Sequence, residues 1–349
     1  MKRSTGRRLR SWWLVCASVT TMSLAVAACG NSEDSSSASS GGTGGKGSKD
    51  PVSIALLASS GASYSQAENK GAEAVAKAAG GSVTVFTADL DPQKQMTQCK
   101  DAIASGKYKG ILIEAVSSAA AVPCAKLAAA AGIKVVGLSN PIGPKLQVPI
   151  QVPEVSGQVV QDHDKVGRTA GRMVKDVCKD KDPCQVVFMI AVPGFPASEA
   201  YKAGLNEEIE SAPNIKIVQT YPTGYGDLSK AKAALQDALV KYPKLSVVTS
   251  DADWLGGAEQ LVKDEGLTDQ VTFIGTGGSR VGTDAVRSGA QYGDIPYLPR
   301  TTAGVATKML IKAVRGEKLD EPAIDAVTLS PLGRIGIVKK TAETFKAQW

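Results

Sequence analysis

The sequence predicts an α/β protein of two Rossmann-like lobes, each a parallel sheet with helices on both faces. Three observations carry that prediction. Short β-branched runs alternate with Ala-rich helical stretches, the pattern of strands joined by helical crossovers. The alternation begins at Pro51 and restarts after residue 160. The roughly 300 residues beyond the N-terminal leader exceed one small core and suit two ordinary ones.

The leader belongs to neither lobe. Lys2, Arg3, Arg7, Arg8 and Arg10 form a basic start without an acid, and Trp12 to Ala28 is mostly apolar and small. That is the pattern of an export signal. It ends in Val26-Ala27-Ala28-Cys29, which resembles the lipobox of bacterial lipoproteins, where the cysteine is lipidated and becomes the first mature residue. Several acyl chains on one cysteine hold a soluble domain stably where one would not. The expected organisation is therefore a signal peptide over 1–28 and a lipidated, Gly/Ser-rich tether over 29–50, too polar to fold. The protein is expected to be exported and anchored by lipid to the outer face of the cell membrane.

Removing the leader changes the charge. The full chain has 40 basic and 34 acidic residues. Five of the basic ones lie in the leader, leaving 35 against 34 and a mature charge of +1. A near-neutral body offers nothing for nucleic acid.

The first-lobe strands are expected at "VSIALLAS" (52–59), "VTVF" (83–86), "GILIEA" (110–115) and "KVVGLS" (134–139). The helices between them each close at a glycine, as helix ends often do. The second series has "QVVFMIA" (185–191), "IKIVQTY" (215–221), "LSVVTS" (245–250) and "VTFIGT" (271–276), with helices such as "LSKAKAALQDALVKYP" between.

Four cysteines remain beyond Cys16 and Cys29, namely Cys99, Cys124, Cys178 and Cys184. In an exported chain they read as two disulfides. A first-lobe strand order of 2-1-3-4 with right-handed crossovers puts the second and third helices on one face. Cys99 and Cys124 sit on those helices. Cys178 ends a helix and Cys184 opens the next strand, so "CKDKDPC" closes a tight connection. The expected pairs are Cys99–Cys124 and Cys178–Cys184. No CxxC occurs and His163 is the only histidine, which leaves a metal site without ligands.

Enzyme signatures are absent. There is no GxSxG elbow, and His163 after Asp162 at a helix start reads as a structural histidine. "GTGG" at 275–278 lacks the full GxGxxG and the lysine of a P-loop, so it reads as a turn. The acids form no paired-carboxylate motif. No cofactor is expected.

Ligands of open α/β sheets bind outside the carboxyl ends of the strands. Those ends carry Ser59, Ser60 and Tyr64, then Glu114, then Ser139 and Asn140. The second series adds Phe195 to Glu199, Tyr225, Asp251, Asp253 and Trp254, and Tyr297. Aromatics are only 5% of the chain, yet several gather here. A ring packs on the C–H face of a sugar or a flat ring, with short polar groups beside it for hydroxyls. Trp12 and Trp13 lie in the leader and Trp349 is the last residue of the sequence. Trp254 is thus the one tryptophan expected inside the folded body.

Over nearly all of residues 52–340 the chain resembles the type I periplasmic-binding proteins of the ribose and galactose type. "IALLASSGASYSQAENKGAEAVAKAAG" is similar to their first strand, binding loop and first helix. "GIKVVGLSN" is similar to the segment ending at the sugar-binding strand tip, and "VGRTAGRMV" to the helix opening the second lobe. "PTGYGDLSKAKAALQDAL" and "VVTSDADWLGGAEQL" are similar to the second lobe's ligand loops.

The resemblance implies two lobes joined by a three-strand hinge and closing on a ligand. The N-terminal lobe is expected over 51–160 plus 298–325, and the C-terminal lobe over 161–297 plus 326–349. Tyr64 and Tyr225 fall on stacking aromatics, and Asp251 on a hydroxyl-binding asparagine. Ser139 and Asn140 stand where many relatives have Asp-Arg, and Glu199 where they have arginine. Gly277 replaces a binding aspartate and Tyr297 a hinge glutamine. The expected ligand set is Ser60, Tyr64, Glu114, Ser139, Asn140, Glu199, Tyr225, Asp251, Trp254 and Tyr297. Much of the hydroxyl-gripping set is replaced, and Glu114, Glu199 and Asp251 make the cleft acidic. The expected function is a monomeric solute-binding protein of an ABC-type importer, taking a sugar or sugar-like solute and handing it to a permease with its ATPase. The alternatives are a nucleoside, aromatic or amine-bearing solute, or a sensing subunit for a membrane kinase.

Overall fold

The computed structural model describes residues 50–224, 227–253, 258–332 and 336–349. The leader, the tether and Cys29 lie outside the described residues. The first series is β1 (Ser53–Ala58), α1 (Ser63–Ala78), β2 (Ser82–Thr87), α2 (Pro92–Ala104), β3 (Gly110–Ile113), α3 (Val122–Ala130), β4 (Lys134–Ser139) and β5 (Val155–Val160). The second runs α4 (His163–Cys178), β6 (Cys184–Ile190), α5 (Pro196–Ile209), β7 (Ile215–Pro222), α6 (Leu228–Lys241) and β8 (Leu245–Ser250). It continues with α7 (Ala258–Asp264), β9 (Thr272–Gly277), α8 (Arg280–Ser288) and β10 (Gly293–Pro296). Then come α9 (Pro299–Val314), β11 (Ala323–Asp325), β12 (Ile337–Val338) and α10 (Lys339–Ala342).

Two six-stranded sheets result. Their orders are β11-β5-β4-β3-β1-β2 and β12-β10-β9-β8-β6-β7. Every pairing is parallel except β12 on β10. In the first sheet, Ile54, Leu56, Leu112 and Val136 pack towards α1 and α9, while Ala55, Leu57, Ile111 and Val135 pack towards α2 and α3. Such two-faced burial explains why the central strands read as unbroken apolar runs rather than alternating ones. The second sheet does the same with α4 and α5 on one face and α6 and α7 on the other. Helix starts follow local rules. Asp91, Asp162, Asp227 and Ser279 each accept a backbone N–H from the first turn of their helix, satisfying donors that would otherwise be unpaired.

Among the described residues the chain passes between the sheets three times. It does so between β5 and α4, between β10 and α9, and between β11 and β12. α4 packs on α5 and the second sheet, whereas α9 returns to α1 and the first. Glycines set how closely these helix pairs cross. A Cβ on Gly204 would lie 2.0 Å from the Asp164 carbonyl oxygen, and one on Gly167 would lie 2.0 Å from that of Tyr201. In the first lobe, a Cβ on Gly71 would come within 2.3 Å of the Arg300 carbonyl oxygen.

The eight anticipated strands all form, within two residues at each end. Four further strands, β5, β10, β11 and β12, carry weaker signals. β5 reads Val-Ser-Gly-Gln-Val-Val and β10 reads Gly-Asp-Ile-Pro, so polar and turn-forming residues mask strands whose partners lie far off in sequence. Cys99 bonds Cys124, tying α2 to α3, and Cys178 bonds Cys184, tying the end of α4 to β6. Loop closure by each contributes about 2 to 4 kcal/mol.

Candidate functional site

The carboxyl ends of both sheets open onto one cavity of about 260 Å³. The first lobe supplies Ser59 and Ser60 after β1, Tyr64 from α1, Glu114 after β3, Ser139 and Asn140 at the end of β4, and Gln161 after β5. The second supplies His163, Phe195, Asp251, Asp253, Thr276, Gly277, Tyr297 and Trp349. Open α/β sheets place ligands here because strand ends leave backbone and short side chains unpaired with further sheet.

On the first lobe, hydroxyls and carboxyls form one chain of hydrogen bonds. Glu114 Oε2 accepts the Ser59 N–H at 2.9 Å, and its Oε1 accepts the hydroxyls of Ser59 at 2.6 Å and Ser65 at 3.1 Å. Ser139 donates to Glu68 Oε1 and lies 3.1 Å from the Tyr64 hydroxyl, to which Gln161 Nε2 donates at 2.8 Å. Ser139 holds a φ of 57°, a left-handed conformation that turns β4 into the cavity wall. Burial, with the charge of Glu114 beside it, pushes Glu68 well above the usual carboxylate range. Burial also raises Glu114, against the three donors that favour its charge. Two buried carboxyls in contact cannot both ionise readily, so Glu68 keeps the proton and Glu114 carries the charge. Asn140 Nδ2 donates to the Ala115 carbonyl at 2.9 Å. Burial lowers His163 to about 4, leaving a neutral imidazole beside Asn140 at neutral pH.

The second-lobe wall is acidic and aromatic. Asp251 Oδ1 accepts the Ala191 N–H at 2.7 Å. Burial raises Asp251 to about 6, and Glu199 adds to the effect. Asp294 is fully buried behind Gly278, whose N–H it accepts at 3.2 Å. Burial, then the charge of Asp253, raises it well above the ordinary range. Trp349 Nε1 donates to the Gly277 carbonyl at 3.0 Å. Tyr64 stands nearly perpendicular to Trp349, with centroids 5.4 Å apart at 88°, and to Tyr297, at 6.1 Å and 75°. The segment before Trp349 is fixed on both sides. Arg280 N–H donates to the Trp349 carbonyl, Arg300 Nε to that of Gln348, and the Thr301 N–H to Gln348 Oε1.

Seven of the ten anticipated ligand residues, Ser60, Tyr64, Glu114, Ser139, Asn140, Asp251 and Tyr297, line this one cavity. Glu199 does not: it is exposed, and its Oε1 accepts the Gly194 N–H at 2.9 Å. A carboxylate in a first helical turn finds that loop N–H before it can reach a cleft. Tyr225 and Trp254 lie outside the described residues. Gln161, Thr276, His163, Trp349 and Glu68 were not anticipated as members of the site. His163 lines the cavity instead of standing apart as a structural histidine, and Trp349 is part of the wall instead of outside the body. Asp253, read in the sequence only as a strand-end residue, lies beside Gly277, whose added Cβ would meet its Cβ at 2.7 Å. Glu68 was the most accessible to sequence reasoning, since it follows Tyr64 by four residues on one helix face. Among the described residues, no cluster of His, Cys, Asp or Glu is arranged to hold a metal.

Residues 54–318 match a family model described as periplasmic binding protein domain. The ribose import binding protein of Salmonella typhimurium is 23% identical over 250 residues, covering 71% of this chain and 80% of that protein. Among solved structures, an ABC transporter solute binding protein from Mycobacterium smegmatis with bound glycerol superposes with a TM-score of 0.71 at 23% identity, covering 86% of this chain and 99% of the other. One from Actinobacillus succinogenes 130z with bound D-allose gives 0.72 at 20% identity, covering 85% and 100%. One from Bacillus halodurans with bound myo-inositol gives 0.74 at 16% identity, covering 87% and 100%.

Proposed function

We propose, from the premise that this chain belongs to the family of periplasmic binding protein domains, that it captures a sugar or sugar-like solute between its lobes and delivers it to the permease of an ABC-type importer. The family is one of solute-binding proteins rather than enzymes, so the solute is returned unchanged. One observation carries the reading. Four rings, Tyr64, Phe195, Tyr297 and Trp349, share a small cavity with the hydroxyls of Ser60, Ser139 and Thr276 and the amides of Asn140 and Gln161. Rings cover the C–H faces of a saturated ring while hydroxyls and amides satisfy its oxygens. The relatives' named ligands, ribose, glycerol, D-allose and myo-inositol, are all polyhydroxylated. A cavity of about 260 Å³ suits a single such ring. Closure by rotation about the three crossings would bury it.

A thermal-shift screen against pentoses, hexoses, inositols and linear polyols tests this. A ligand at about one hundred times its dissociation constant adds about 2.7 kcal/mol, which in a chain of this size is expected to raise the melting temperature by roughly 5 to 10 °C. A panel without a single stabilising solute would remove the reading.

The same proposal places the protein on the outer face of the membrane through Cys29, supported by the basic, apolar and Val-Ala-Ala-Cys succession of the leader. Cys29→Ser is expected to release the protein into the medium or leave an unprocessed precursor. A processed, lipid-labelled mutant in the membrane fraction would contradict the anchor.

A further inference from the structure

We infer that the solute is a glycoside, a sugar ring carrying an apolar group, and that this group is held against Leu90, Val116 and Phe195. This rests on the solute-binding reading above and names the class of solute.

The polarity of the cavity changes along the sheets. The chain crosses between lobes after β5 and after β10, so β4, β5 and β9 end near those crossings, while β2 and β7 are the edges farthest from them. The near side offers Ser139, Asn140, Gln161 and Thr276. Away from it the lining turns apolar, with Leu90 after β2, Ala62 after β1, Val116 after β3, and Phe195 and Ala197 from the segment after β6. The polar groups among them are engaged with one another. Glu114 accepts from Ser59 and Ser65, and the hydroxyls of Ser60 and Ser65 lie 3.1 Å apart. A bare sugar has hydroxyls around its whole rim, and this cavity answers them best on one side. An apolar substituent on the other side gains from burial, where a hydroxyl would give up its water.

Leu90 gives the second support. It is 50% exposed and packs in none of the buried apolar clusters of the described residues. Asp89 and Leu90 hold φ values of 54° and 62° in succession, a left-handed conformation that a bulky L residue enters only with strain. The turn is fixed in place. The Leu90 N–H donates to the Ser59 carbonyl at 2.8 Å, the Asp91 N–H donates to that of Ala88 at 3.1 Å, and the Asp91 side chain caps α2. Glycine adopts such a turn without steric cost. A leucine kept there, half in water and lining the cavity, is explained by contact with what the cavity holds.

Matched pairs test the inference by calorimetry on the mature protein in a detergent that contains no sugar. The pairs are D-glucose, D-galactose, D-ribose and D-xylose, each with its α- and β-phenyl glycosides. At least one phenyl glycoside is expected to bind roughly tenfold or more tighter than its parent sugar. Leu90→Gly and Leu90→Asn both accept the left-handed turn. Each is expected to cut that ratio to about threefold or less, whatever either absolute affinity becomes. Both ligand-free variants are expected to melt at or above the wild-type temperature, because the strain leaves with the leucine. A ratio unmoved in either variant would overturn the contact at Leu90. Variants melting more than about 4 °C below wild type would make Leu90 a packing residue and overturn that contact equally. Parent sugars that match their glycosides in every pair would overturn the glycoside and leave solute binding in place. So would a failure of every pair while another solute of the panel above stabilises the protein. If the pairs and the panel both fail, both readings fall together.

Discussion

Acidification from about pH 7.5 to about pH 5 is expected to raise the melting temperature of the ligand-free protein by roughly 5 °C or more, at about 2 to 4 °C per kcal/mol in a chain of this size. The sign follows from four buried carboxyls. Glu68, Glu114, Asp251 and Asp294 all have folded pKa values raised above the unfolded ones. Such a group stabilises the fold while protonated, fully below its unfolded pKa, and that stability is lost as pH rises through the folded pKa. For Asp251, raised to about 6, the loss falls between roughly pH 4 and 6 and amounts to about 3 kcal/mol at 1.36 kcal/mol per unit. His163 opposes it. Its pKa is lowered to about 4, so its contribution is present above the unfolded value and is lost as pH falls towards 4, on a scale that offsets Asp251. The remaining three carboxyls decide the direction, with Glu68 and Asp294 the most strongly raised. Surface carboxylates held low by their partners, Glu207, Asp227 and Asp237, lose stability only at lower pH, below the interval measured. Glu68→Gln mimics the protonated acid, so it is expected to flatten the pH response. A wild-type melting temperature that is flat or falls over this interval would contradict the protonated Glu68.

Gly204→Val is expected to destabilise the protein by about 3 kcal/mol or more, because overpacking here cannot be relieved by a rotamer change. The new Cβ would meet the Asp164 carbonyl oxygen at 2.0 Å, so the backbones of α4 and α5 must separate. The α1–α9 pair provides the internal control. A Cβ on Gly304 would meet Val75 Cγ2 at 3.4 Å and the Gly71 carbonyl at 3.9 Å. Gly304→Ala is therefore expected to be neutral, or stabilising by up to about 1 kcal/mol through helix propensity. Urea denaturation of the two variants beside the parent compares them. Equal effects at both positions would mean that helix approach is not set by Gly204.

The fold was legible because its signals are local. Runs such as "KVVGLS" and "LSVVTS" declare themselves as buried strands, and the loops after them inherit a position at the carboxyl edge. That rule brings Ser60, Tyr64, Glu114, Ser139, Asn140 and Asp251 to the cavity edge, whereas Tyr297 follows β10, a strand with a weak signal of its own. What escaped depends on contacts remote in sequence. Trp349 reaches the cavity because Arg280, Arg300 and Thr301, from two different helices, hold the backbone and side chains that precede its ring. Asp253 reaches the cavity wall where Gly277, on the neighbouring strand, leaves space for it. Glu199 misled because a strand-end position fixes where a residue starts and not which donor its side chain reaches first. β5 escaped for a related reason, since Gly157 and Gln158 are strand residues only in the company of β4 and β11.

The paired glycines and the cavity wall also differ in how freely they can drift. Gly71, Gly167 and Gly204 each face a backbone atom of a partner helix, so the set of tolerated replacements there is nearly empty. The wall is assembled from separate loops, each giving a few residues to the cavity. Single substitutions can therefore change what is held without touching how the lobes are built. Architecture kept across wide sequence divergence is the relation seen between this protein and solved structures that superpose at TM-scores of 0.71 to 0.74 with only 16 to 23% identity.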